Sequence, residues 1–229
     1  MKKESYNNCV DYFKNCTPFV GLSEKEKDLL RINMLYVKYK AGETIFKQGT
    51  PFSHLVGFKK GFAKVYVETG ERDFIISLVK GCDIILDPGM WVNGNHHFSL
   101  SALADTEIVL IDIKAFQNIL QTNIDFSNKI RVECSKKEVF LFKKLICLTQ
   151  KHMSGRLAGV LTEFSRNVFQ SDKFDILISR QELADLTAMS KESICRILKE
   201  FKDSKIIDFE GNTIEILNPV FLEKVRNKG

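Results

Sequence analysis

No stretch of this chain approaches the roughly 20 successive apolar residues needed to cross a membrane. Lys2 and Lys3 lead into Glu4 and the polar Ser5-Tyr6-Asn7-Asn8, with no apolar segment behind them, so no secretory signal is expected. No CxxC pair occurs among Cys9, Cys16, Cys82, Cys134, Cys147 and Cys195. Scattered cysteines in an ordinary-sized chain without an export signal predict reduced thiols in a cytoplasm. P-loop, GxGxxG, HExxH and nucleophile-elbow patterns are all missing, which points away from an enzyme. Six cysteines and four histidines can be paired in many ways, so no single Cys–His pair signals nucleophilic chemistry. Compositional bias is missing too. With 44% hydrophobic and 28% charged residues, 229 residues fit one large globular domain or two small ones. A net charge of +5 permits a nucleic-acid partner without requiring one.

What is there falls into three zones. Near the start, Ser23 and Glu26 have capping-box spacing, and Leu29, Leu30, Ile32 and Met34 follow as a short amphipathic helix. From Val37 to Ile113 the periodicity is that of strands, punctuated by Gly42, Gly49, Gly57, Gly61, Gly70, Gly81, Gly89 and Gly94. Runs such as 62–67 and 73–79 flank Glu68-Thr69-Gly70-Glu71, a hairpin signal, and short strands at this spacing predict an antiparallel sandwich or roll. After the strand 107–113 the period turns helical. Residues 114–120 read as a short helix, and 126–152 as a long one uninterrupted by Gly or Pro. At about 1.5 Å per residue the long helix extends some 40 Å. Its Ile130, Cys134, Leu141, Leu145 and Leu148 step like a seam of a and d positions, which predicts a partner helix from a second copy. Packing on its own sandwich alone is the other option. Lys129, Arg131, Lys136, Lys137, Lys143, Lys144 and Lys151 outnumber Glu133 and Glu138, so the chain's positive excess sits on this helix.

The third zone, 153–229, carries the chemistry. Ser154 to Phe169 is helical, with Leu157, Val160, Leu161 and Phe164 on one face, and a polar loop follows. Ser179 with Glu182 forms a second capping box, and Ser190 is an N-cap for the next helix. In the first of these helices Leu183 and Leu186 point inward. In the second, Ile194, Ile197, Leu198 and Phe201 make one apolar stripe, while Lys191, Glu192, Cys195, Arg196 and Lys199 lie opposite. A short helix, a tight turn and a longer helix polar in its first turns make the helix-turn-helix pattern. Double-stranded DNA is the implied partner. Ser190, Lys191, Glu192, Ser193, Cys195, Arg196 and Lys199 are candidates for the groove, with Arg196 able to donate twice to guanine and Glu192 able to accept from cytosine N4. Ser179, Arg180 and Gln181 are candidates for phosphate contacts. Ile206-Ile207-Asp208-Phe209, Glu210-Gly211-Asn212 and Thr213 to Leu217 read as a two-stranded wing, and Asn218-Pro219 opens a last helix. From His152 onward, Lys and Arg number 12 and Asp and Glu 12, so affinity rests on local placement rather than bulk charge.

The order of these zones resembles the Crp/Fnr family of bacterial transcription regulators over nearly the whole chain. The most specific stretches are 178–184 and 190–198, then Ala41-Gly42-Glu43-Thr44-Ile45-Phe46-Lys47-Gln48-Gly49, then Gly155-Arg156-Leu157-Ala158. The resemblance implies an α+β chain: a cyclic-nucleotide-binding-like antiparallel β-roll over 1–125, a dimerisation helix over 126–152 and a winged helix-turn-helix over 153–229. It implies a cytoplasmic homodimer on a near-palindromic operator, a signal received in the roll, and RNA polymerase as partner of an activator. Glu192 and Arg196 fall on the family's principal base-reading positions. Ala188 stands where many members have Gly. A left-handed conformation costs a non-glycine residue about 1–2 kcal/mol, which predicts a slightly different turn.

The family's nucleotide pocket uses a Gly-Glu and, about a dozen residues on, an Arg-Ser. Here the matching stretches are Ile84-Ile85-Leu86-Asp87-Pro88-Gly89-Met90-Trp91 and Asn95-His96-His97-Phe98-Ser99, with no Glu in the first and no Arg in the second. A buried phosphate without a fixed cation is poorly compensated, which argues against cyclic AMP. Leu86, Asp87, Met90, His96, His97 and Ser99 are candidates for lining a pocket for an unidentified effector. The histidine pair reads as a pH-dependent anion site or as an ordinary surface pair. Cys9 and Cys16 lack the close spacing of Fnr-type iron–sulfur ligands. Haem stays open, with His96, His97, His152, Met90 and Cys82 as candidate ligands, and so does a roll that binds nothing. His152 also reads as a hinge or helix-end residue.

Overall fold

The computed structural model describes Tyr12 and residues 16–228. The chain divides into two compact units, Met1–Glu68 with Ile76–Val139, and Thr69–Ile75 with Phe140–Gly229.

In the first unit the Ser23 box forms as its spacing demands. The Ser23 hydroxyl accepts from the Glu26 N–H, the Glu26 carboxylate accepts from the Ser23 N–H, and α1 runs Glu24–Ile32. The helix ends at Ile32, two residues before the sequence pattern does, with Asn33 as its C-cap. Met34 opens strand β1 (Met34–Tyr39) instead, and Ile32 is exposed. Strands β2 (Thr44–Phe46), β3 (His54–Lys60), β4 (Phe62–Glu68), β5 (Asp73–Lys80), β6 (Asp83–Ile85), β7 (Ser99–Ala102) and β8 (Thr106–Asp112) follow. They form two four-stranded sheets, ordered β1-β8-β3-β6 and β2-β7-β4-β5, with antiparallel pairing in registers such as Met34↔Ile111 and Val65↔Leu100. Val56, Phe58, Ala63, Val65, Leu100 and Ile108 make one core between them, and β7 is buried along its whole length.

Asp112 caps α2 (Ile113–Thr122) by accepting from the Ala115 N–H, and α3 runs Ile124–Gln150. The first two turns of α3 belong to the core of the first unit. Phe126 and Ile130 are buried there with Phe19, Phe116 and Ile119, the Phe19, Phe116 and Phe126 rings lying 5.6–6.5 Å apart. This corrects the seam drawn from the sequence. Ile130 is only 1% exposed and so is not available to a second copy, and the half-buried Cys134 packs in part against the same core. Leu141 and Leu145 are exposed, and Leu148 is half-buried. The same helix also exposes Val132, Val139, Phe142 and Ile146, at steps of 7, 3 and 4.

The second unit holds α4 (Met153–Glu163), a wider π-helical turn over Phe164–Phe169, α5 (Arg180–Thr187), α6 (Lys191–Asp203) and α7 (Pro219–Lys228). Its sheet has three strands, not two. β9 (Lys173–Asp175) pairs with β11 (Thr213–Ile216), which pairs with β10 (Ile207–Glu210). The extra strand lies in the stretch read as a polar loop. Phe174, Ile176 and Ile178 alternate and are all buried, an apolar alternation that was there to be read.

Candidate nucleic-acid interface

The two helices of the motif are fixed by their caps and by one stripe. Ser179 accepts from the Glu182 N–H, and Ser190 accepts from the Ser193 N–H at 3.2 Å. Ile194, Ile197, Leu198 and Phe201 are all buried, so α6 has one face committed to the core. By the geometry of a helix the opposite face is then turned out. Lys191, Glu192, Cys195, Arg196 and Lys199 are exposed there, with Ser190 exposed at the cap and Ser193 half-buried.

Between the helices, Ala188 takes the left-handed conformation itself, φ 53° and ψ 49°, and the Met189 N–H closes the turn on the Ala184 carbonyl at 3.0 Å. The expected departure in the turn is therefore absent; the chain accepts the strain. Replacing Ala188 by Gly relieves about 1–2 kcal/mol of backbone strain. It also adds unfolded-state freedom worth about 0.4–1 kcal/mol. Ala188→Gly should therefore be net stabilising, by roughly 0.5–1 kcal/mol, in chemical denaturation. An unchanged or lowered midpoint would count against this account.

Charge on the exposed face is already arranged. The backbone N–H of Glu192 and then the Ser190 hydroxyl hold the Glu192 carboxyl below the ordinary range, as expected for an acid in the first turn of a helix. It is an ionised acceptor. Arg196, one turn on, is clasped by Glu200 at 2.6 Å, with both side chains more than half exposed. Such a surface pair contributes little to stability. It sets the guanidinium beside a carboxylate on the same face of the helix.

Of the three residues expected at phosphates, Ser179 and Gln181 are exposed, and Gln181 donates to the Asp185 carboxylate at 2.9 Å. Arg180 is half-buried and serves the wing. It lies over the Phe209 ring and donates to the Gly211 carbonyl at 3.2 Å, while burial pulls its pKa down. Lys202 grips the same ring from α6 and pairs with Asp208 at 2.6 Å. Two cations thus tie the wing to the helices, a role that sequence reasoning missed for both. The signal was Phe209 at the end of a short strand, beside a turn that needs Gly211.

The six candidate pocket residues in the roll are brought close in sequence but serve mainly one another. The Asp87 carboxylate is fully buried. It accepts from the Gly89 N–H at 2.8 Å and the His97 N–H at 3.2 Å, and it lies 3.0 Å from His96 Nδ1. His96 is 7% exposed and stacks on Phe46 with ring centroids 3.9 Å apart, so the reading of both histidines as a surface pair or a shared anion site is corrected. His97 alone is exposed, its Nε2 3.1 Å from Asn93 Oδ1. Met90 is buried, Leu86 is half-buried, and Ser99 donates to Glu68. A Cβ on Gly89 would fall 1.9 Å from the Asn95 carbonyl oxygen, so this loop closes only around glycine. Of the other candidate haem ligands, His152 is exposed at the N-cap of α4 in the second unit, and Cys82 contacts Cys16. Cys9, on which the iron–sulfur argument leaned, lies outside the described residues.

Comparison with known proteins agrees with this geometry. Residues 36–123 match the cyclic nucleotide-binding domain, and residues 155–225 match the Crp-like helix-turn-helix domain. The chain is 26% identical over 184 residues to the cAMP-activated global transcriptional regulator CRP of Escherichia coli O6:H1, across 78% of this chain and 88% of that protein. It is 27% identical over 219 residues to the fumarate and nitrate reduction regulatory protein of Vibrio cholerae serotype O1, across 89% and 83% respectively. The structure of FixK2 from Bradyrhizobium japonicum superposes with a TM-score of 0.76 at 18% identity, covering 84% of this chain and 96% of that one, a likeness of fold. No helix among the described residues is long and apolar enough to cross a membrane. With a roll of the nucleotide-binding kind ahead of a DNA-binding helix-turn-helix, the chain belongs to the Crp/Fnr family of transcription regulators.

Proposed function

We propose that this protein works as a homodimer in the cytoplasm, joined along α3, in which each subunit reads one half-site of a near-palindromic operator. The observation that carries this reading is the exposed face of α6, where an ionised Glu192 and a pre-positioned Arg196 stand one turn apart. Arg196 addresses guanine through O6 and N7, and Glu192 addresses cytosine N4. Lys191, Cys195 and Lys199 flank them. Ser179 and Gln181 hold phosphates, while Arg180 acts on the wing. The exposed apolar residues of α3, Val139, Phe142, Leu145 and Ile146, are where the second copy docks. Domains over 1–125, 126–152 and 153–229 then serve as sensor, joint and reader, with RNA polymerase as the further partner.

Its curated relative in Escherichia coli is named as cAMP-activated. The residues here do not fit that ligand. Where a cyclic phosphate needs a cation, the roll presents the buried Asp87 carboxylate, and the histidine beside it is spent on that carboxylate. Its effector is therefore something other than cyclic AMP. A second reading, a roll that takes no small ligand and a protein that binds DNA constitutively, is favoured by how completely Asp87, Gly89, Asn95 and His96 fill this segment with one another.

Selection of bound sequences from random DNA, with purified full-length protein and with cyclic AMP present or absent, tests the proposal. The expected result is a twofold-symmetric motif, identical in both arms. An enriched motif that appears only with cyclic AMP would overturn the effector reading. Failure to enrich any symmetric motif would overturn the operator reading.

A further inference from the structure

Cys16 and Cys82, 66 positions apart in the sequence, are joined by a side-chain hydrogen bond in the first unit. Their environments are unequal. Cys16 is 2% exposed, and Cys82 is exposed at the turn between β5 and β6. Tyr12 seats the buried one. Its hydroxyl donates to the Asp83 carbonyl at 3.1 Å, next in the chain to Cys82, and accepts from the Cys16 thiol at 3.2 Å. The ring is pinned against Gly57, where a Cβ would fall 2.5 Å from Tyr12 Cζ. The Cys16 N–H is bonded to the Tyr12 carbonyl at 3.0 Å, so the thiol one turn along is held in register with the phenol. The Cys16 proton thus has two acceptors within reach, the phenol oxygen and the Cys82 sulfur.

We propose that Cys16 and Cys82 are a reversible redox pair, closed to a disulfide by a peroxide. The roles follow from exposure and hydrogen bonding. The hydrogen bond from Cys16 draws the Cys82 thiol below its ordinary pKa, against opposing effects of burial and the Asp83 charge. The bond to Cys82 and then burial push Cys16 well above its own ordinary value. An exposed sulfur that ionises readily beside a protected neutral thiol is the arrangement of an attacking and a resolving cysteine. In the first step the Cys82 thiolate attacks one peroxide oxygen and the O–O bond breaks. The leaving hydroxide takes a proton to become water, and Cys82 is a sulfenic acid. In the second step the Cys16 sulfur attacks the Cys82 sulfur, the S–O bond breaks, and hydroxide leaves with the Cys16 proton as a second water. Two thiols and one peroxide give one disulfide and two waters, with two electrons passing to the peroxide. A dithiol reverses the change by exchange. Closure would remove the Cys16 hydrogen bond from Tyr12 and tether the segment before α1 to the turn before β6. Both thiols are free in the structure, as expected for reduced cysteines, and the proposal concerns what oxidant does to them.

Treating purified full-length protein with a small excess of hydrogen peroxide, followed by peptide mass mapping, tests this. The expected product is lighter by two hydrogens, with the Cys16 and Cys82 peptides joined and released again by dithiothreitol. In Cys16→Ser, Cys82 should be trapped by dimedone as a sulfenic acid that the unaltered protein does not accumulate. Because Cys16 is buried and its replacement can disturb folding, Cys82→Ser, at an exposed site, gives the second arm: no disulfide at Cys16. Alkylation at neutral pH should label Cys82 several times faster than the exposed Cys195. A different pairing, or Cys82 reacting no faster than Cys195, would overturn the proposal.

Discussion

Arg196→Ala is expected to weaken binding to the best operator by about 1–3 kcal/mol, roughly 5-fold to 150-fold, and to flatten the base preference at one position of each half-site. The bidentate fork is what discriminates, so Arg196→Lys should recover charge and only part of the selectivity. Fluorescence anisotropy on a set of single-base operator variants measures both numbers. A mutant that is weaker by the same factor on every sequence would assign Arg196 to the phosphates. One with an unaltered preference and affinity would remove it from the interface. Gln181→Ala is the natural contrast, since loss of the proposed phosphate contact should lower affinity evenly across sequences.

Lysines at Phe142 and Ile146 together are expected to give monomers in sedimentation. Both side chains are well exposed, 65% and 59%, so the change should cost the folded subunit little. In a twofold pair, however, each lysine would face its counterpart across a desolvated surface. Without the second reader tethered to the first, affinity for the full operator should fall by about 10²–10⁴. A dimer that survives both lysines, and also lysines at Leu141 and Leu145, would place the joint elsewhere.

How much of this was legible in the sequence depended on whether the determining contacts were local. The capping boxes at Ser23 and Ser179, the cap at Ser190 and the stripe Ile194, Ile197, Leu198, Phe201 are satisfied within a few residues, and all stand as read. What failed depended on distant partners. Periodicity marked Ile130 as one side of a helix but could not say that the roll's own aromatics would claim it. His96 beside His97 looked like a symmetric pair. Only the fold, by bringing Phe46 over one ring and Asp87 against it, makes them unlike. Arg180 read as a free cation because Phe209 is 29 positions away. β9 is a different case: Phe174, Ile176 and Ile178 alternate, but Ser171, Asp172, Lys173 and Asp175 around them give the stretch the composition of a polar loop. Ala188 shows the opposite limit. The cost of its conformation is legible in the sequence, but not that the chain adopts it at an exposed alanine.

The clasp between Arg196 and Glu200 has a consequence for how the protein searches a genome. If Arg196 reads a base as proposed, it must first exchange Glu200 for that base. On the proposed reading, a wrong sequence leaves the guanidinium with Glu200, and a guanine that offers O6 and N7 competes for it with two acceptors. Glu200 would then act as a threshold, and Glu200→Gln should change how many sites are occupied while leaving their shared motif as it was.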